Sequence, residues 1–274
     1  VEDNDMGDRT NTTVVCNIVN SKSMKVNGKN VDLTAQLDRS NRESKEYRQK
    51  ELKEIDISGF KQNEENCKIV IRSYDSPDAI RENAGKTAIL NFASSKNPGG
   101  GFETGAMAQE ESLCYRSNLY FDLKEHMPFY EFNRANLKKS IYTDGLIYSS
   151  DICFFRDAKA VNCEPYYLDV ITIAAPNFRA ARRHQVPVEE INETMRRRIE
   201  YVFRVAVEHK VEHLVLGAFG CGVFGNDPSI VANYMYEMIF DKGYGKYFKQ
   251  ITFAMHDSVS ENTKAFVRTF NRRR

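Results

Sequence analysis

The sequence predicts an α/β fold, a central sheet with helices on both faces, from three observations. From residue 67 onward, short β-branched runs bounded by turn residues alternate with stretches of helical periodicity. Residues 188–207 carry Ile191, Met195, Ile199, Val202 and Ala206 at the three-to-four spacing of one buried helical face. Two glycine-rich loops each follow a strand pattern and precede a helix pattern, the arrangement of ligand loops at the carboxyl edge of an open α/β sheet.

The elements follow in chain order. Residues 1–65 are polar and mixed in pattern, and are expected to form an N-terminal extension packed on a core of residues 66–274. Within the extension, 14–19 fits a short helix or strand. Asn27-Gly28, between apolar Val26 and Val31, signals a tight turn, and 40–54, charged and free of Pro and Gly, predicts a surface helix. Residues 67–74 (CKIVIRSY) read as a strand, with Ser76-Pro77-Asp78 opening a short helix. A strand at 86–93 is followed by the first glycine loop and a helix over 106–123. Strands are predicted at 145–149, 152–155, 168–175, 213–218 and 250–255, and helices at 188–207, 228–240 and 261–270. No repeat, Pro-rich linker or low-complexity run divides the chain.

The bulk composition of the 274 residues narrows the function classes. Apolar residues make up 41% and charged residues 28%, an ordinary globular mixture. Lys plus Arg number 39 against 38 acids, so no global field favours nucleic acid or an anionic membrane. The six cysteines (16, 67, 114, 153, 163 and 221) include no Cys-x-x-Cys and no His at a ligand spacing, so no metal site is expected. Most lie in apolar runs and read as reduced core thiols. No apolar stretch approaches the ~20 residues of a membrane span, and the opening VEDNDMGDRT lacks the order of a secretory leader. A cytoplasmic monomer is the expectation.

The chemistry concentrates in two places. In NPGGGFETGAMAQEE (97–111), Gly99, Gly100 and Gly101 precede Gln109-Glu110-Glu111 by seven residues. Three glycines open the backbone N–H groups to a ligand, Pro98 stiffens the approach, and Asn97 offers an amide at the rim. A plain tight loop explains the glycines alone equally well. Glu110 and Glu111 are about 100° apart on a helix, so they do not form a matched acid/base pair on one atom. One can serve as a proton donor while the other holds a hydroxyl or backbone group. In the second loop, LVLGAFGCGVFGNDP (214–228), Gly220, Cys221, Gly222, Val223, Phe224 and Gly225 match G-x-G-x-x-G. The loop is the penultimate unit rather than the first, and no acid follows at the ribose-binding distance, which argues against a dinucleotide oxidoreductase. Two such loops suit a diphosphate gripped from both sides, with Phe219 or Phe224 available to cover a sugar or base.

The triple glycine followed by Gln-Glu-Glu resembles the signature of the poly(ADP-ribose) glycohydrolases, of the smaller bacterial type. Asn91-Phe92-Ala93 through Asn97-Pro98, Ala174-Ala175-Pro176-Asn177 and Gly217 to Phe224 extend the likeness, which covers roughly residues 25–270. The resemblance implies a macrodomain-like three-layer α/β/α sandwich with a mixed central sheet, and hydrolysis of ribose–ribose O-glycosidic bonds, mainly from chain ends. It implies Glu111 as general acid/base and Glu110 as the holder of the ribose hydroxyls. Gly99, Gly100 and Gly101 would pass close to the distal ribose and diphosphate, and Asn97 and Gln109 are further substrate-binding residues that the resemblance implies. The stretch from Gly220 to Gly225 would hold the diphosphate, with Phe224 against the distal ribose, and Phe102 and Tyr115 are further candidates to line the site. No cofactor is implied, and the expected partner is ADP-ribose, free or as poly(ADP-ribose) on modified proteins, without direct contact to DNA. Removal of single ADP-ribose units from a side chain or nucleobase, and non-catalytic reading of ADP-ribose, are the alternatives. An intact Gln-Glu-Glu disfavours a pure reader, because binding does not need the acid.

Overall fold

A computed structural model describes residues 9–40, 44–73 and 85–272. The described residues begin with α1 (Arg9–Ser21), which buries Val15 and Ile18, and a hairpin of β1 (Ser23–Val26) and β2 (Lys29–Asp32). Asn27 and Gly28 turn that hairpin at φ of 49° and 79°, the backbone that Asn-Gly favours. A short α2 (Thr34–Arg39) follows. The predicted helix over 40–54 is instead β3 (Lys45–Tyr47) and α3 (Gln49–Glu54) among the described residues. Tyr47 is buried and β3 pairs with the main sheet, while Glu51 accepts from the Arg48 N–H at 2.8 Å and starts α3 one turn late.

The main sheet is completed by β4 (Lys68–Ser73), β5 (Thr87–Phe92), β6 (Leu146–Arg156), β7 (Asn162–Ile173), β8 (His213–Leu216) and β9 (Gln250–Met255). Its order is β3-β6-β7-β5-β8-β9-β4, with β3, β6 and β7 antiparallel in succession and every pairing from β7 to β4 parallel. The sheet is therefore mixed. Alternation splits the core in two. Leu90, Ile171, Leu214, Leu216 and Phe253 face one layer, and Ile89, Val170, Val215 and Ala254 the other. The first layer holds α3, α8 (Val188–Glu208), α9 (Pro228–Tyr236) and α10 (Glu261–Arg272). The second holds α1, α4 (Gln109–Cys114), α5 (Leu119–Glu125) and α6 (Met127–Ala135). This is a three-layer α/β/α sandwich. The helix anticipated after Ser76 lies outside the described residues.

Several elements differ from expectation for identifiable reasons. The helix over 106–123 is split into α4 and α5, because the backbone between them serves β6. The Arg116 carbonyl accepts from the Phe155 and Arg156 N–H groups, Ser117 bridges to Phe154, and the Asn118 side chain accepts from the Cys153 N–H. The two strands expected at 145–149 and 152–155 are one strand, β6, with a bulge where Asp151 takes φ 50° and its N–H reaches Asp169. The strand expected at 168–175 begins earlier, at Asn162. Three short helices were not anticipated, α2, α6 and α7 (Phe178–Arg183), the last capped by the Asn177 side chain, which accepts from the Ala180 N–H.

One buried ion pair positions the segment between α6 and β6. Arg198, wholly buried on α8, donates to Asp144 at 3.0 Å, to the Ala174 carbonyl at 2.9 Å and to the Ile141 carbonyl at 2.6 Å. Arg197 donates to the other Asp144 oxygen at 2.7 Å. Burial acts to raise the Asp144 pKa, but the two guanidiniums outweigh it and hold the carboxyl below its ordinary range. Asp144→Ala strands the Arg198 charge, and urea unfolding is expected to show a loss of about 3–5 kcal/mol; a loss within about 0.5 kcal/mol, as for a surface substitution, overturns the assignment.

Candidate functional site

The carboxyl ends of β7, β5, β8 and β9 open into one cleft of ≈ 1030 Å³. It is bordered by residues 92–96, Gly100, residues 107–112, Tyr142, Ala175, Asn177, both halves of the second glycine loop, and residues 254–257, 260, 262 and 263. The volume suits a ligand of several rings. A second hollow of ≈ 690 Å³, at the opposite end of the strands beside residues 60–66 and 210–212, does not include the Gln-Glu-Glu triplet.

The first loop is shaped by its glycines. Gly99 and Gly100 take φ of 65° and 60°, where a Cβ is disfavoured. A Cβ on Gly100 would overlap Glu111 Oε1 and lie 2.9 Å from Glu110 Oε2, so both acids converge on this one residue. On Gly99 it would meet the Tyr120 ring at 2.8 Å. The loop rests on an aromatic stack in which Phe102 lies 5.1 Å from Tyr115 and 4.5 Å from Tyr120. Tyr115 donates to the Ala106 carbonyl at 3.1 Å, and Thr12 of α1 donates to the Phe102 carbonyl at 2.6 Å. Phe102 and Tyr115 are both buried beneath the loop and do not border the cleft.

The Gln-Glu-Glu triplet divides its labour. Gln109 clamps α4 to the end of β5, accepting from the Phe92 N–H and donating to the Leu90 carbonyl, each at 2.8 Å. Glu110, 3% exposed, accepts from the Ser94 N–H at 2.7 Å and from Asn91 Nδ2 at 3.3 Å; Asn91 is in turn tied to Thr172. Burial, with the nearby Glu111 adding, pushes the Glu110 carboxyl up to about 8 despite these donors. Glu111, 7% exposed, accepts from the Gly101 N–H through Oε1 at 2.7 Å and borders the cleft.

The second loop faces the first across the cleft. Gly220 and Gly225 take φ of 72° and 73°, and a Cβ on Gly225 would meet Arg179 at 2.5 Å. Asn226, buried, donates to the Pro176 and Gly220 carbonyls at 3.0 and 2.9 Å and holds the loop to the end of β7. Among the described residues, the N–H groups of Gly222, Val223 and Phe224 have no backbone acceptor, which leaves them for an anion. Phe224 lies 6.3 Å from Tyr142 at one end of the cleft, while Phe219 is buried against Phe92 at 5.8 Å.

Of the residues singled out from the sequence, Gly100, Gln109, Glu110, Glu111, Phe219, Gly220, Gly222, Val223 and Phe224 border the cleft together, Phe219 as a buried part of its floor. Gly99, Gly101, Cys221 and Gly225 shape the loops from behind. Asn97 is exposed and outside the lining; its carbonyl accepts from the Gly100 N–H. Sequence reasoning missed Ser94, Tyr142 and Asn226. Ser94 and Asn226 lie within stretches already quoted but were not singled out, and nothing local marked Tyr142, which is brought in by the Arg198 clamp. Among the described residues no group of His, Cys, Asp and Glu is placed to hold a metal, and no helix is long and apolar enough to cross a membrane.

Residues 12–157 match the family described as "Microbial-type PARG, catalytic domain". Among solved structures, the chain is 33% identical to poly(ADP-ribose) glycohydrolase (PARG) from Thermomonospora curvata, with a TM-score of 0.89 over 96% of this chain and 98% of that one. The same enzyme bound to the inhibitor ADP-HPD matches with a TM-score of 0.86 at 33% identity, over 97% and 98% of the two chains. The PARG of Deinococcus radiodurans in complex with ADP-ribose matches with a TM-score of 0.77 at 33% identity, over 92% and 100%. No curated protein matches.

Two outcomes follow from the geometry. Gly100→Ala is expected to lower turnover by about 100-fold or more, because the new Cβ displaces both carboxylates and the left-handed backbone costs about 1–2 kcal/mol; steady-state kinetics near wild type would refute the convergence. For Glu110, the folded state keeps its proton up to about pH 8 whereas an unfolded carboxyl releases it near its ordinary value. Its contribution to stability is therefore complete at acid pH and lost as pH rises through about 8. Thermal unfolding of Glu110→Gln against wild type should show a difference that grows in the variant's favour over that range. A pH-independent difference would remove the neutral-carboxyl assignment.

Proposed function

Because the chain belongs to the microbial-type poly(ADP-ribose) glycohydrolases, we propose that it hydrolyses the ribose–ribose O-glycosidic bonds of poly(ADP-ribose) and releases ADP-ribose. The observation that carries this reading is the convergence of Glu110 and Glu111 on the Gly100 turn, inside a cleft whose far wall offers unengaged backbone N–H groups.

Glu111 borders the cleft and is the proposed general acid. Its carboxyl gives a proton to the oxygen leaving with the neighbouring ribose as the bond to the anomeric carbon breaks. The Glu111 carboxylate then takes a proton from the water that attacks that carbon, which restores the acid. The Gly101 N–H holds Oε1 and sets the side chain's direction. Glu110, kept neutral at pH 7 by burial, borders the same cleft and exchanges hydrogen bonds with ribose hydroxyls without adding a second charge. Ordinary glycosidases place two carboxylates on opposite sides of the bond. Here the two acids are adjacent, and Glu110 is tied down by Asn91 and Ser94, so the substrate's own diphosphate is left to stabilise the positive centre.

The Gly222–Phe224 amides receive the diphosphate, and Phe224 with Tyr142 packs on the distal ribose. The scheme uses neither metal nor redox cofactor. Cleavage mainly from chain ends, by a cytoplasmic monomer that does not contact DNA directly, accords with a net charge of +1 and with local recognition through two loops.

The test is release of ADP-ribose from purified poly(ADP-ribose). Glu111→Gln is expected to lower kcat by about 10²–10⁴-fold while calorimetry shows ADP-ribose affinity within a few-fold of wild type. Full turnover in the variant would sink the assignment of Glu111, and binding without turnover in the wild type would leave a reader.

A further inference from the structure

Charge is unevenly placed around the cleft. Between Glu131 and Asp144, and again between Asp169 and Glu189, the sequence contains no acid. These two stretches carry Arg134, Lys138, Lys139, Arg179, Arg182 and Arg183, all exposed, and none is ion-paired among the described residues. On a chain whose net charge is +1, this is a local excess of six positive charges.

The fold joins the two stretches at one end of the cleft. The Asn177 N–H donates to the Ser140 carbonyl at 3.0 Å, and the Arg179 N–H donates to the Phe224 carbonyl at 3.1 Å. Arg134 donates to the carbonyl of Lys96, a cleft residue, at 2.6 Å. Lys138, Lys139, Ser140 and Tyr142 take φ of 45°, 52°, 72° and 63°, four non-glycine residues in a disfavoured region within five positions. Each such residue costs about 1–2 kcal/mol, and the segment is held there by Arg198 through Ile141 and Asp144. The result presents two lysines outward next to Tyr142.

Direction follows from the sheet order. Glu111 approaches the cleft from the end of β5, and the cleft extends from there past the second loop to residues 256–263 after β9. On the glycohydrolase reading, the ADP-ribosyl unit being removed would fill that length. The other partner of the broken bond leaves toward β7, where the basic stretches lie. In the polymer that partner is another ADP-ribose unit, whose diphosphate is dianionic.

We propose that residues 134–139 and 179–183 form a binding surface for the leaving chain, receiving the diphosphate of the ADP-ribose unit next to the bond that is cut. This rests on the glycohydrolase reading and deepens it: the surface favours a polymer over a single ADP-ribose on a small neutral acceptor. Exposed charges of this kind act on encounter and on polymer affinity, and they weaken with salt.

The experiment compares wild type with Lys138→Asn/Lys139→Asn and with Arg182→Gln/Arg183→Gln. Asparagine tolerates the left-handed backbone, so the first pair removes charge and keeps the turn. For each protein, kcat/KM on purified poly(ADP-ribose) is measured at low and high salt, ADP-ribose affinity by calorimetry, and folding by thermal unfolding. Expected are a fall of about 5- to 20-fold in kcat/KM at low salt with a flatter salt dependence, and ADP-ribose affinity unchanged within about twofold. An unchanged kcat/KM in both variants, beside an active wild type, overturns the proposal. So does an equal loss of ADP-ribose affinity, which would place the charges inside the cleft, or equal competition by duplex DNA, which would make the surface a general polyanion patch. A wild type that neither cuts the polymer nor binds ADP-ribose would bring down the glycohydrolase reading itself.

Discussion

Two neighbouring carboxylates beneath a glycine turn are the constraint on which the rest of the structure depends. Buried acids need donors, and here the donors are backbone N–H groups of Ser94 and Gly101 and the amide of Asn91. Backbone can come that close only because Gly100 has no Cβ. The turn is in turn braced from below by Phe102, Tyr115 and Tyr120, and from the side by Thr12. Gln109, clamped to β5, sets where α4 begins and hence where both acids lie. The N-terminal segment thus contributes to the site although none of its described residues borders the cleft.

The same economy governs the far wall. Asn226 joins the second loop to the end of β7, and Arg198 joins the segment carrying Tyr142 to that same end through the Ala174 carbonyl. Two separate stretches of chain are therefore gathered on one strand end, each by a buried polar side chain with several partners. Such networks stabilise only when every member is satisfied, and they fix geometry more than they add stability. A cleft that must hold a flexible dinucleotide-like ligand in one orientation benefits from that rigidity.

The strand assignments for β4, β5, β8 and β9 and the helices α8, α9 and α10 were legible because their patterns are local. Apolar periodicity and flanking turn residues report directly on burial. The triple glycine and the Gln-Glu-Glu triplet were legible for the same reason, since their spacing is short and is preserved by one turn of chain. The break between α4 and α5 was not, because Arg116, Ser117 and Asn118 give up helical bonds to serve β6, about 35 residues away in sequence. The strand at Lys45–Tyr47 was hidden for a similar reason: three residues carry too little pattern, and only the exposed edge of β6 selects them.

The sequence by itself determined the α/β class, the two glycine loops, the acid pair and the family to which they belong, because each is written in residues a few positions apart. It also contained the two acid-free basic stretches, without indicating that they meet. Tertiary structure alone decided that Glu110 is anchored by Ser94 and Asn91 and Glu111 by Gly101, both at the cleft, and that Phe219 packs on Phe92 in the core while Phe224 lies beside Tyr142. It also decided that Asn97 lies outside the lining. Those outcomes depend on the direction of a side chain relative to atoms contributed by distant segments. Direction is set by packing and by the need of each buried polar group for a partner, and neither can be read from spacing along the chain.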